Sequence, residues 1–598
     1  MAAIFGVWGK VNNQQFKEMN LRLSHRGQFV RHASVADTIS FGVRTDVENS
    51  CFFKNSDVSV VAIGSIYNLD DMLGLLAGRD ILSLDGTFAS LIGGLYSVYG
   101  TSLFHKIEGD FSFAIWDHNS NKLILCRDYF GLYPIYYVAL GNGSIAFASE
   151  YKGLLPLCPA TPEVDPNMLQ YLQFSKKLPV GKTLFNEIRS IPPGVSAIFL
   201  KTDKEPELID KFPSIRVDIA DVDEDRHCSD LFEVISKAIE RRVADSERIG
   251  IALSGGIDSI GIACLCRKMY PDREIHTFSA GYGESDTDLS TANLVSKYIK
   301  SVHHEVLTPP SLLESSLENL VWHMEDPFSR SESLQLYMIA REAKKHVPAL
   351  MSGQGADSLF AGMPKYKLLW YMKKYPWLKL PLTDIYSFTQ TSHPPESLLG
   401  RILKALYFRG SVPFPPSVVG ATVTPHSYSF SRIGSEFVND VASKGFQYGQ
   451  CQDIQKFERN LAAFGLEYKS PFYDLSVVSK AFAIPDQLKI FGGTQKYILR
   501  QAFRGVVPEK FLQVPKLPQR MNYDMDFSLT LNKIAATYLT KESIENRGFF
   551  KYSDVKKLIK TPLKKPYSPE WGMRIWTVIL TEIWARVYLD QNGQAPTL

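Results

Sequence analysis

The stretch IALSGGIDSIGIACL, residues 251–265, limits what this chain can fold into more than any other. Apolar residues lead into Ser254-Gly255-Gly256, Asp258 follows, and small apolar residues then resume. This order predicts a buried strand, a tight glycine turn and the start of a helix. Backbone N–H groups at a helix start have no partners within the helix, and the helix dipole adds positive charge there. The turn is therefore predicted to bind an anion such as phosphate. An ordinary turn with an N-cap aspartate is the alternative.

A second stretch, ALMSGQGADSLFAGM at 349–363, also joins an apolar run to a glycine turn and an acid, Asp357. Loops at the carboxyl ends of parallel strands share one crevice, so both turns are predicted to face one nucleotide. Asp258 and Asp357 would then share a magnesium ion, which prefers oxygen ligands. The stretch PVGKTLF is not a Walker A loop, because Lys176 stands where that motif needs its first glycine. Ser254 is not a hydrolase nucleophile, because G-x-S-x-G is absent.

Sequence patterning divides the chain into two domains. Short β-like runs separated by Gly, Asn and Asp predict a mostly β domain over residues 1–205. Acidic, weakly periodic residues predict a linker at 206–226. Helical and strand patterns alternate over residues 227–598, which predicts an α/β domain with a parallel sheet and crossover helices. The Pro-, Ser- and Thr-rich residues 375–430 are predicted to form an irregular insertion.

Composition argues against several function classes. The 66 Lys and Arg residues nearly balance 63 Asp and Glu residues, whereas a dedicated nucleic-acid binder is usually strongly basic. No apolar run is long enough to span a membrane, and the start MAAIFGVWGK is not typical of a signal peptide. The seven scattered cysteines are expected to be free thiols of a cytoplasmic protein. Adjacent His303 and His304 on a predicted strand point to opposite faces, so they are not expected to share a metal.

The motif LSGGIDS resembles the pyrophosphate-binding loop of the asparagine synthetases and their relatives, and other motifs extend this resemblance over nearly the whole chain. GDFSFAIWD, CRDYFGLYPIYY and FASEYKGLLPL are similar to the amidotransferase half. HTFSAGY, SGQGADSLFAGM, GLEYKSPFYD and QKYILRQAFRGVVPEKF are similar to the synthetase half. The resemblance implies an N-terminal Ntn-type αββα sandwich, a degenerate class II glutamine amidotransferase domain. It also implies a C-terminal PP-loop domain, with a doubly wound parallel sheet, that adenylates a carboxylate with ATP, releases pyrophosphate and forms an amide.

The resemblance further implies roles for individual residues. Leu253 and Ala280 would lie against the adenine, and Asp258 and Asp357 would hold Mg²⁺. Lys516, in PEKFLQVPKLPQR, would stabilise the oxyanion of the tetrahedral intermediate, although a solvated surface lysine is the alternative. The residues expected to bind the nucleotide phosphates are Ser254, Gly255, Gly256, Ile257, Asp258, Ser259, Ser352, Gly353 and Asp357.

One departure from the family pattern concerns glutamine. Asparagine synthetases begin, once the initiator Met is removed, with a cysteine that attacks glutamine, whereas this chain has Ala2 there and its first cysteine is Cys51. Ile63 stands where the family has an asparagine that stabilises the oxyanion, and an Ile side chain cannot donate a hydrogen bond. Gly64 and Arg44 remain, and Asp85 is a candidate for the family's pocket aspartate. The N-terminal domain is therefore expected to lack glutaminase activity.

The second departure is Gln354, where asparagine synthetases have a glutamate suited to deprotonating ammonia and β-lactam synthetases have a tyrosine. Gln cannot act as a base, and the sequence does not identify its replacement. The nitrogen is therefore expected to be an amine of the substrate itself, as in β-lactam synthetases, carbapenam synthetases and lasso peptide cyclases.

The insertion at 375–430 favours a lasso peptide cyclase, which closes a macrolactam. The expected partners are a peptide or small-molecule substrate with both a carboxylate and an amine, and a leader-peptide protease, with no nucleic acid and no membrane. A β-lactam or carbapenam-type synthetase and an ammonia-dependent asparagine synthetase are alternatives within the family. A tRNA-modifying enzyme and a non-catalytic pseudoenzyme scaffold are alternatives from other classes.

Overall fold

A computed structural model describes most of the chain. The described residues are 2–36, 38–46, 51–77, 86–140, 143–158, 162–175, 178–200, 205–210, 222–243, 246–281, 287–327, 332–374, 436–514, 525–560 and 569–596. Asp85, Lys176, residues 211–221 of the predicted linker, the insertion predicted at 375–430 and Lys516 lie outside these ranges.

The N-terminal domain consists of twelve strands and four helices over the described residues. In chain order these are β1 (Ala3–Trp8), α1 (Asn13–Arg22), β2 (Phe29–Ala36), β3 (Ile39–Thr45), β4 (Phe52–Lys54), β5 (Val58–Ile66), α2 (Leu69–Leu76), α3 (Phe88–Tyr99), β6 (Gly109–Asp117), β7 (Lys122–Arg127), β8 (Tyr136–Ala139), β9 (Ile145–Ala148), α4 (Pro166–Ser175), β10 (Ile188–Ser190), β11 (Val195–Phe199) and β12 (Glu207–Asp210). The strands form two antiparallel sheets with the orders β10-β8-β9-β1-β3-β2 and β12-β11-β7-β6-β5-β4.

The alternation of side chains along these strands builds the layers of the N-terminal domain. On β1, Trp8 packs against Trp116 of the second sheet, with ring centroids 5.2 Å apart. The opposite face of β1 points to α1, where the rings of Phe5 and Phe16 are 5.1 Å apart. Helices α2 and α3 cover the outer face of the second sheet, where Val60 lies in their apolar cluster. The layers are therefore helix, sheet, sheet and helix, as predicted for an αββα sandwich.

The boundary of the N-terminal domain differs from the predicted one. Strand β12 pairs with β11, with Val195 opposite Asp210, so the sheet extends into the predicted linker. The first helix of the C-terminal domain, α5 (Glu224–Val243), also begins before the predicted start at 227. The short polar strand ELID was missed because it is exposed, and its pairing with β11 rather than its composition makes it a strand.

The C-terminal domain alternates strands and helices before it becomes mainly helical. After α5 follow β13 (Arg248–Ala252), α6 (Ile257–Met269), β14 (Glu274–Gly281), α7 (Thr287–Ile299), β15 (Val302–Leu307), α8 (Ser311–Met324), α9 (Glu332–Ala343), β16 (Ala349–Met351), α10 (Ala356–Leu359), α11 (Pro364–Lys374), α12 (Phe437–Ala462), β17 (Glu467–Lys469), α13 (Leu475–Ala483), α14 (Asp486–Lys489), β18 (Ile490–Phe491), β19 (Thr494–Gln495), α15 (Tyr497–Ala502), α16 (Glu509–Leu512), α17 (Met525–Tyr538), α18 (Lys541–Arg547), α19 (Tyr552–Lys560) and α20 (Pro569–Ala585). Among the described residues, none of these helices combines the length and apolarity that crossing a membrane requires.

The central sheet of this domain is parallel, with the strand order β15-β14-β13-β16-β17. The chain builds outward from β13 to β15 and then returns to the other side of β13 with β16. The order therefore reverses between β13 and β16, where Ile251 lies opposite Met351. In open α/β sheets, ligands bind at the carboxyl ends of the strands beside such a reversal.

Buried ion pairs join the two domains. The Arg26 guanidinium lies between two carboxylates, with Nε 2.5 Å from Glu150 Oε1 in its own domain and Nη2 3.0 Å from Glu458 Oε2 on α12. Farther along the interface, Arg242 of α5 lies 3.6 Å from Asp110 of β6. Loss of one partner would leave a buried charge, which is costly, so these pairs fix how the domains dock.

Candidate active site

A cavity of about 780 Å³ opens at the carboxyl ends of β13 and β16. Its walls include all the site residues assigned from the sequence except Lys516, which lies outside the described residues. These lining residues are Leu253, Ser254, Gly255, Gly256, Ile257, Asp258, Ser259, Ala280, Ser352, Gly353 and Asp357. The fold thus brings together two loops that are separated by about a hundred residues of sequence.

The first loop is held by its own two serines. The Ser254 backbone N–H donates to Ser259 Oγ at 3.1 Å, and the two hydroxyl oxygens are 3.0 Å apart. The Gly256 N–H donates back to Ser254 Oγ at 3.3 Å. Gly256 is the N-cap of α6 and provides no side-chain cap. The loop is therefore a preformed turn whose helix N-terminus faces the cavity, the arrangement that binds phosphate.

The wall beside this loop is mainly backbone. Ser279 Oγ donates to the Leu253 carbonyl oxygen at 2.6 Å, which ties the end of β13 to β14. Ala280 follows on β14, is partly exposed and lines the cavity. Leu253 and Ala280 thus form a mostly apolar wall of the kind that a flat nucleobase could contact.

The second loop lies directly against the first. A Cβ atom added to Gly353 would be only 2.7 Å from Cβ of Asp258, so only glycine allows this approach. The Gln354 N–H donates to Ser352 Oγ at 3.2 Å, and its carbonyl accepts from Ser470 Oγ at 2.8 Å. These bonds fix the Gln354 backbone, and the residue lines the cavity.

Lys496 is a site residue that the sequence analysis did not assign. Its Nζ lies 2.6 Å from Asp357 Oδ1 and also contacts Asp258 Oδ2, so one ammonium joins the two predicted metal ligands. The Lys496 side chain is 4% exposed and the residue has a left-handed backbone, φ +55°, directly before α15. A side chain on Gly362 would collide with Lys496 Cε, so this glycine makes room for the lysine.

The charge of Lys496 is maintained by its neighbours. Burial alone would lower the pKa of the ammonium, but the carboxylates of Asp258 and Asp357 outweigh it and raise the pKa above its usual value. Arg500 also lines the cavity, and burial lowers its pKa although Asp258 partly opposes this. The site thus holds a permanent cation beside two carboxylates.

The carboxylate pair fits Mg²⁺. The two side chains come from different loops and approach one ammonium closely, and both supply the hard oxygen ligands that Mg²⁺ prefers. A divalent ion with bound phosphates would neutralise the same charges that Lys496 neutralises here.

Lys496 lies in QKYILRQAF, one of the motifs that carried the family resemblance, and it follows Gly492-Gly493. The motif and the two glycines were the only sequence signals found for a role of Lys496. They do not indicate that its side chain is buried between two aspartates. The ammonium meets the two aspartates only through the packing of α15 and the β18–β19 hairpin.

In the N-terminal domain, residue 2 is an alanine directly before β1, and its methyl group offers no nucleophile. Ile63 is buried on β5 opposite Ser112. Gly64 has φ +114°, and a side chain there would collide with the Asp110 carbonyl, so this glycine is needed for the backbone itself. The Arg44 guanidinium donates to the backbone carbonyls of Asn20 and Gly27, both at 2.9 Å.

Comparison with known families agrees with both halves of this description. Residues 230–586 match the asparagine synthase family, and residues 1–209 match the glutamine amidotransferase domain. The chain belongs to the asparagine synthase family. As a member of that family it is an ATP-dependent ligase that forms carbon–nitrogen bonds.

Three similar curated proteins are asparagine synthetases. Asparagine synthetase [glutamine-hydrolyzing] 1 of Bacillus subtilis is 25% identical, covering 96% of this chain and 94% of that protein. A putative asparagine synthetase [glutamine-hydrolyzing] of Mycobacterium bovis is 26% identical over 88% of this chain and 84% of its own length. The asparagine synthetase [glutamine-hydrolyzing] of Gallus gallus is 25% identical over 69% of this chain and 63% of its own length.

Two solved structures were also found by structural comparison. The match to the allosteric regulatory enzyme of purine biosynthesis covers 52% of this chain and 81% of that protein, with 12% identity and a TM-score of 0.28. The match to glutamine phosphoribosylpyrophosphate amidotransferase from Bacillus subtilis covers 59% of this chain and 81% of that protein, with 11% identity and a TM-score of 0.27. At these TM-scores the likeness adds nothing to the family assignment.

Proposed function

We propose that this ligase adenylates a substrate carboxylate, releases pyrophosphate and couples the activated carbonyl to an amine of the same substrate. The observation that carries the proposal is the meeting of Asp258, Asp357 and Lys496 beside the first loop in one cavity. In this proposal the loop N–H groups bind the β- and γ-phosphates of ATP, and Leu253 and Ala280 contact the adenine. Asp258 and Asp357 hold the Mg²⁺ that bridges the phosphates.

Lys496 is the residue that we assign to charge stabilisation. Negative charge grows on the carbonyl oxygen as the amine attacks, and a fixed cation stabilises that transition state more than the ground state. The two aspartates hold the Lys496 ammonium inside the cavity before substrate binds. Lys516 keeps the same proposed role only by family resemblance.

The proposed source of the amine rests on three residues that are unsuited to releasing ammonia from glutamine or to deprotonating it. Ala2 has no thiol, the Ile63 side chain has no hydrogen-bond donor, and Gln354 is not a base. An amine within the substrate replaces ammonia, so no ammonia supply is needed. Tethering also gives that amine an effective molarity of about 10⁵–10⁸ M in well-oriented cases. The cavity wall also carries cations and anions, such as Lys367 and Glu332, which suit a substrate with both kinds of charge.

The product that we propose is a macrolactam between the N-terminal amine of a peptide and an Asp or Glu side chain, as in lasso peptide biosynthesis. The cavity of about 780 Å³ lies toward the upper end of the usual range for small-molecule sites, roughly 300–1,000 Å³. Its size leaves room for substrate beside a nucleotide. A leader-peptide protease would then supply the linear peptide with its free N-terminal amine.

An ammonia-dependent asparagine synthetase is the second candidate, because the similar proteins named above are asparagine synthetases. A β-lactam or carbapenam-type synthetase would use the same site with a smaller substrate. A pseudoenzyme scaffold would bind nucleotide without turnover.

The test is mass spectrometry and pyrophosphate detection on two reactions of the purified chain with Mg²⁺ and ATP. Both contain ¹⁵N-ammonium; one also contains synthetic peptides with a free N-terminal amine and one internal Asp or Glu, and the other also contains aspartate. We expect pyrophosphate release, and loss of one water from a peptide without gain of ¹⁵N. An Asp258→Asn variant is the control for contaminating enzymes. Labelled asparagine would establish the second candidate instead, and release of ADP with orthophosphate would refute the adenylation chemistry altogether.

A further inference from the structure

Three histidines meet on the central sheet, outside the lining of the nucleotide cavity. His276 is near the start of β14, His304 is near the start of β15, and His346 lies in the turn between α9 and β16. Ser279 and Ala280, near the carboxyl end of β14, line the cavity, whereas His276 lies nearer the amino end of that strand. The ring of Phe278, which also lines the cavity, separates the two sites and stacks on His304 with ring centroids 4.7 Å apart. None of the three lines the cavity.

The geometry of the three rings is compact. One ring nitrogen from each residue can be chosen so that all three lie within 4.8 Å of one another. Nδ1 of His276 is 3.0 Å from Nε2 of His304, and the ring centroids of His304 and His346 are 4.1 Å apart. His276 is buried and the other two are half-buried.

Carboxylates lie behind two of the rings. Oε1 of Glu274 is 3.1 Å from Nε2 of His276, and Oε1 of Glu342 is 3.3 Å from Nε2 of His346. A carboxylate at this position favours the tautomer with the proton on Nε2, which leaves the Nδ1 lone pair for another partner. Histidines that bind metal ions commonly have such an outer carboxylate.

His303 shows that the arrangement is specific to one face of the sheet. It neighbours His304 on β15 but points to the other side, where its Nδ1 is 2.9 Å from Thr277 Oγ1. The expectation that His303 and His304 do not share a site agrees with this placement. His304 instead faces two histidines that are distant in sequence.

We propose that His276, His304 and His346 bind one late first-row divalent ion of the zinc class. Imidazole nitrogens favour zinc, nickel and copper, whereas Mg²⁺ favours the oxygen ligands of the nucleotide site. A Zn–N distance of about 2.0–2.1 Å in tetrahedral geometry places the nitrogens roughly 3.3 Å apart, close to the 3.0 Å between His276 and His304. The rings, now stacked, turn so that their nitrogens face the ion, and water or a carboxylate completes the coordination. The ion would tie β14, β15 and the turn before β16 together.

The test uses the untagged full-length chain, stripped with a chelator and kept in excess Mg²⁺ so that the carboxylate site is occupied. Zinc sulfate alone is titrated by calorimetry, and Co²⁺ replaces it for visible spectroscopy. We expect one equivalent to bind, with the intense visible bands of four-coordinate Co²⁺. His304→Ala should lose both signals, and the matched control His303→Ala should keep both. Glu274→Gln should weaken binding by about 10–100-fold, the usual cost of losing a carboxylate behind a ligating histidine.

Absence of binding by the wild-type chain would overturn the proposal, as would equal binding by wild type and His304→Ala. The second outcome would mean that the metal binds elsewhere. Circular dichroism verifies that each variant folds. If His304→Ala does not fold, His346→Ala changes the same site from a turn rather than from a strand and is expected to lose the same signals.

Discussion

Replacement of Lys496 by methionine tests the site most directly. Methionine keeps much of the length and apolar volume of the lysine but removes the ammonium that lies 2.6 Å from Asp357. Breaking a fully buried ion pair typically costs about 3–5 kcal/mol, because the remaining charge is left buried. Here the Asp357 side chain is 33% exposed and water can hydrate it, so we expect a smaller cost. We therefore expect Lys496→Met to lower the free energy of unfolding by about 2–3 kcal/mol.

The assay has two parts, thermal unfolding and turnover. A domain of 150–250 residues loses about 2–4 °C of Tm per kcal/mol, and a larger one loses less, so we expect Tm to fall by about 3–8 °C without ligand. Mg²⁺ with ATP should reduce the difference in Tm between wild type and Lys496→Met, because the divalent ion neutralises the carboxylates of Asp258 and Asp357. Turnover with saturating substrate should still fall by about 10²–10³-fold, the scale for loss of one group that stabilises an oxyanion.

Lys516→Met is the matched comparison, since it removes a lysine that the family resemblance favours for the same role. If Lys516→Met abolishes turnover while Lys496→Met retains it, the charge-stabilising role belongs to Lys516 and our assignment is wrong. If Mg²⁺ with ATP leaves the Tm difference of Lys496→Met unchanged, Asp258 and Asp357 do not hold the metal.

Three further outcomes are expected. Gly353→Ala should weaken binding of Mg²⁺–ATP in calorimetry, because the added methyl would lie 2.7 Å from Cβ of Asp258, whereas Gly74→Ala adds a methyl in open space and should not; equal affinities would contradict the close packing of the loops. The purified chain should form no glutamate from glutamine above background, and Cys51→Ala should match it; glutaminase activity that depends on Cys51 would restore a role for the N-terminal domain. Burial outweighs a neighbouring carboxylate and lowers the pKa of His25 to about 4, whereas an unfolded histidine protonates near pH 6.5, so Tm should fall as the pH drops from about 6.5 to about 4. His25→Asn should show a shallower fall over that range, and an unchanged slope would show that another group is responsible.

Short stretches of sequence were enough to predict both glycine loops and the α/β character of the C-terminal domain. A strand, a glycine turn and a helix start are set by residues that are adjacent in the chain, such as Gly255, Gly256 and Asp258. Their chemistry is local, since helix N-termini and glycine backbones behave similarly in most folds. The alternation of side-chain direction along β1 and β5 likewise follows from the period of a strand, and it sends side chains to both covered faces of each sheet.

Contacts between distant parts of the chain were decided only by the tertiary structure. The adjacency of β13 and β16 places Gly353 against Asp258, and the packing of α15 places Lys496 between the two aspartates. No local pattern distinguishes Lys496 from the many lysines that solvent surrounds, or His304 from its neighbour His303. The position of such a side chain depends on which elements pack around it, and that packing is a property of the whole domain rather than of any one segment. The sequence therefore determined the two loops and their acids, while the fold determined the cation that joins them and the three histidines that meet on the central sheet.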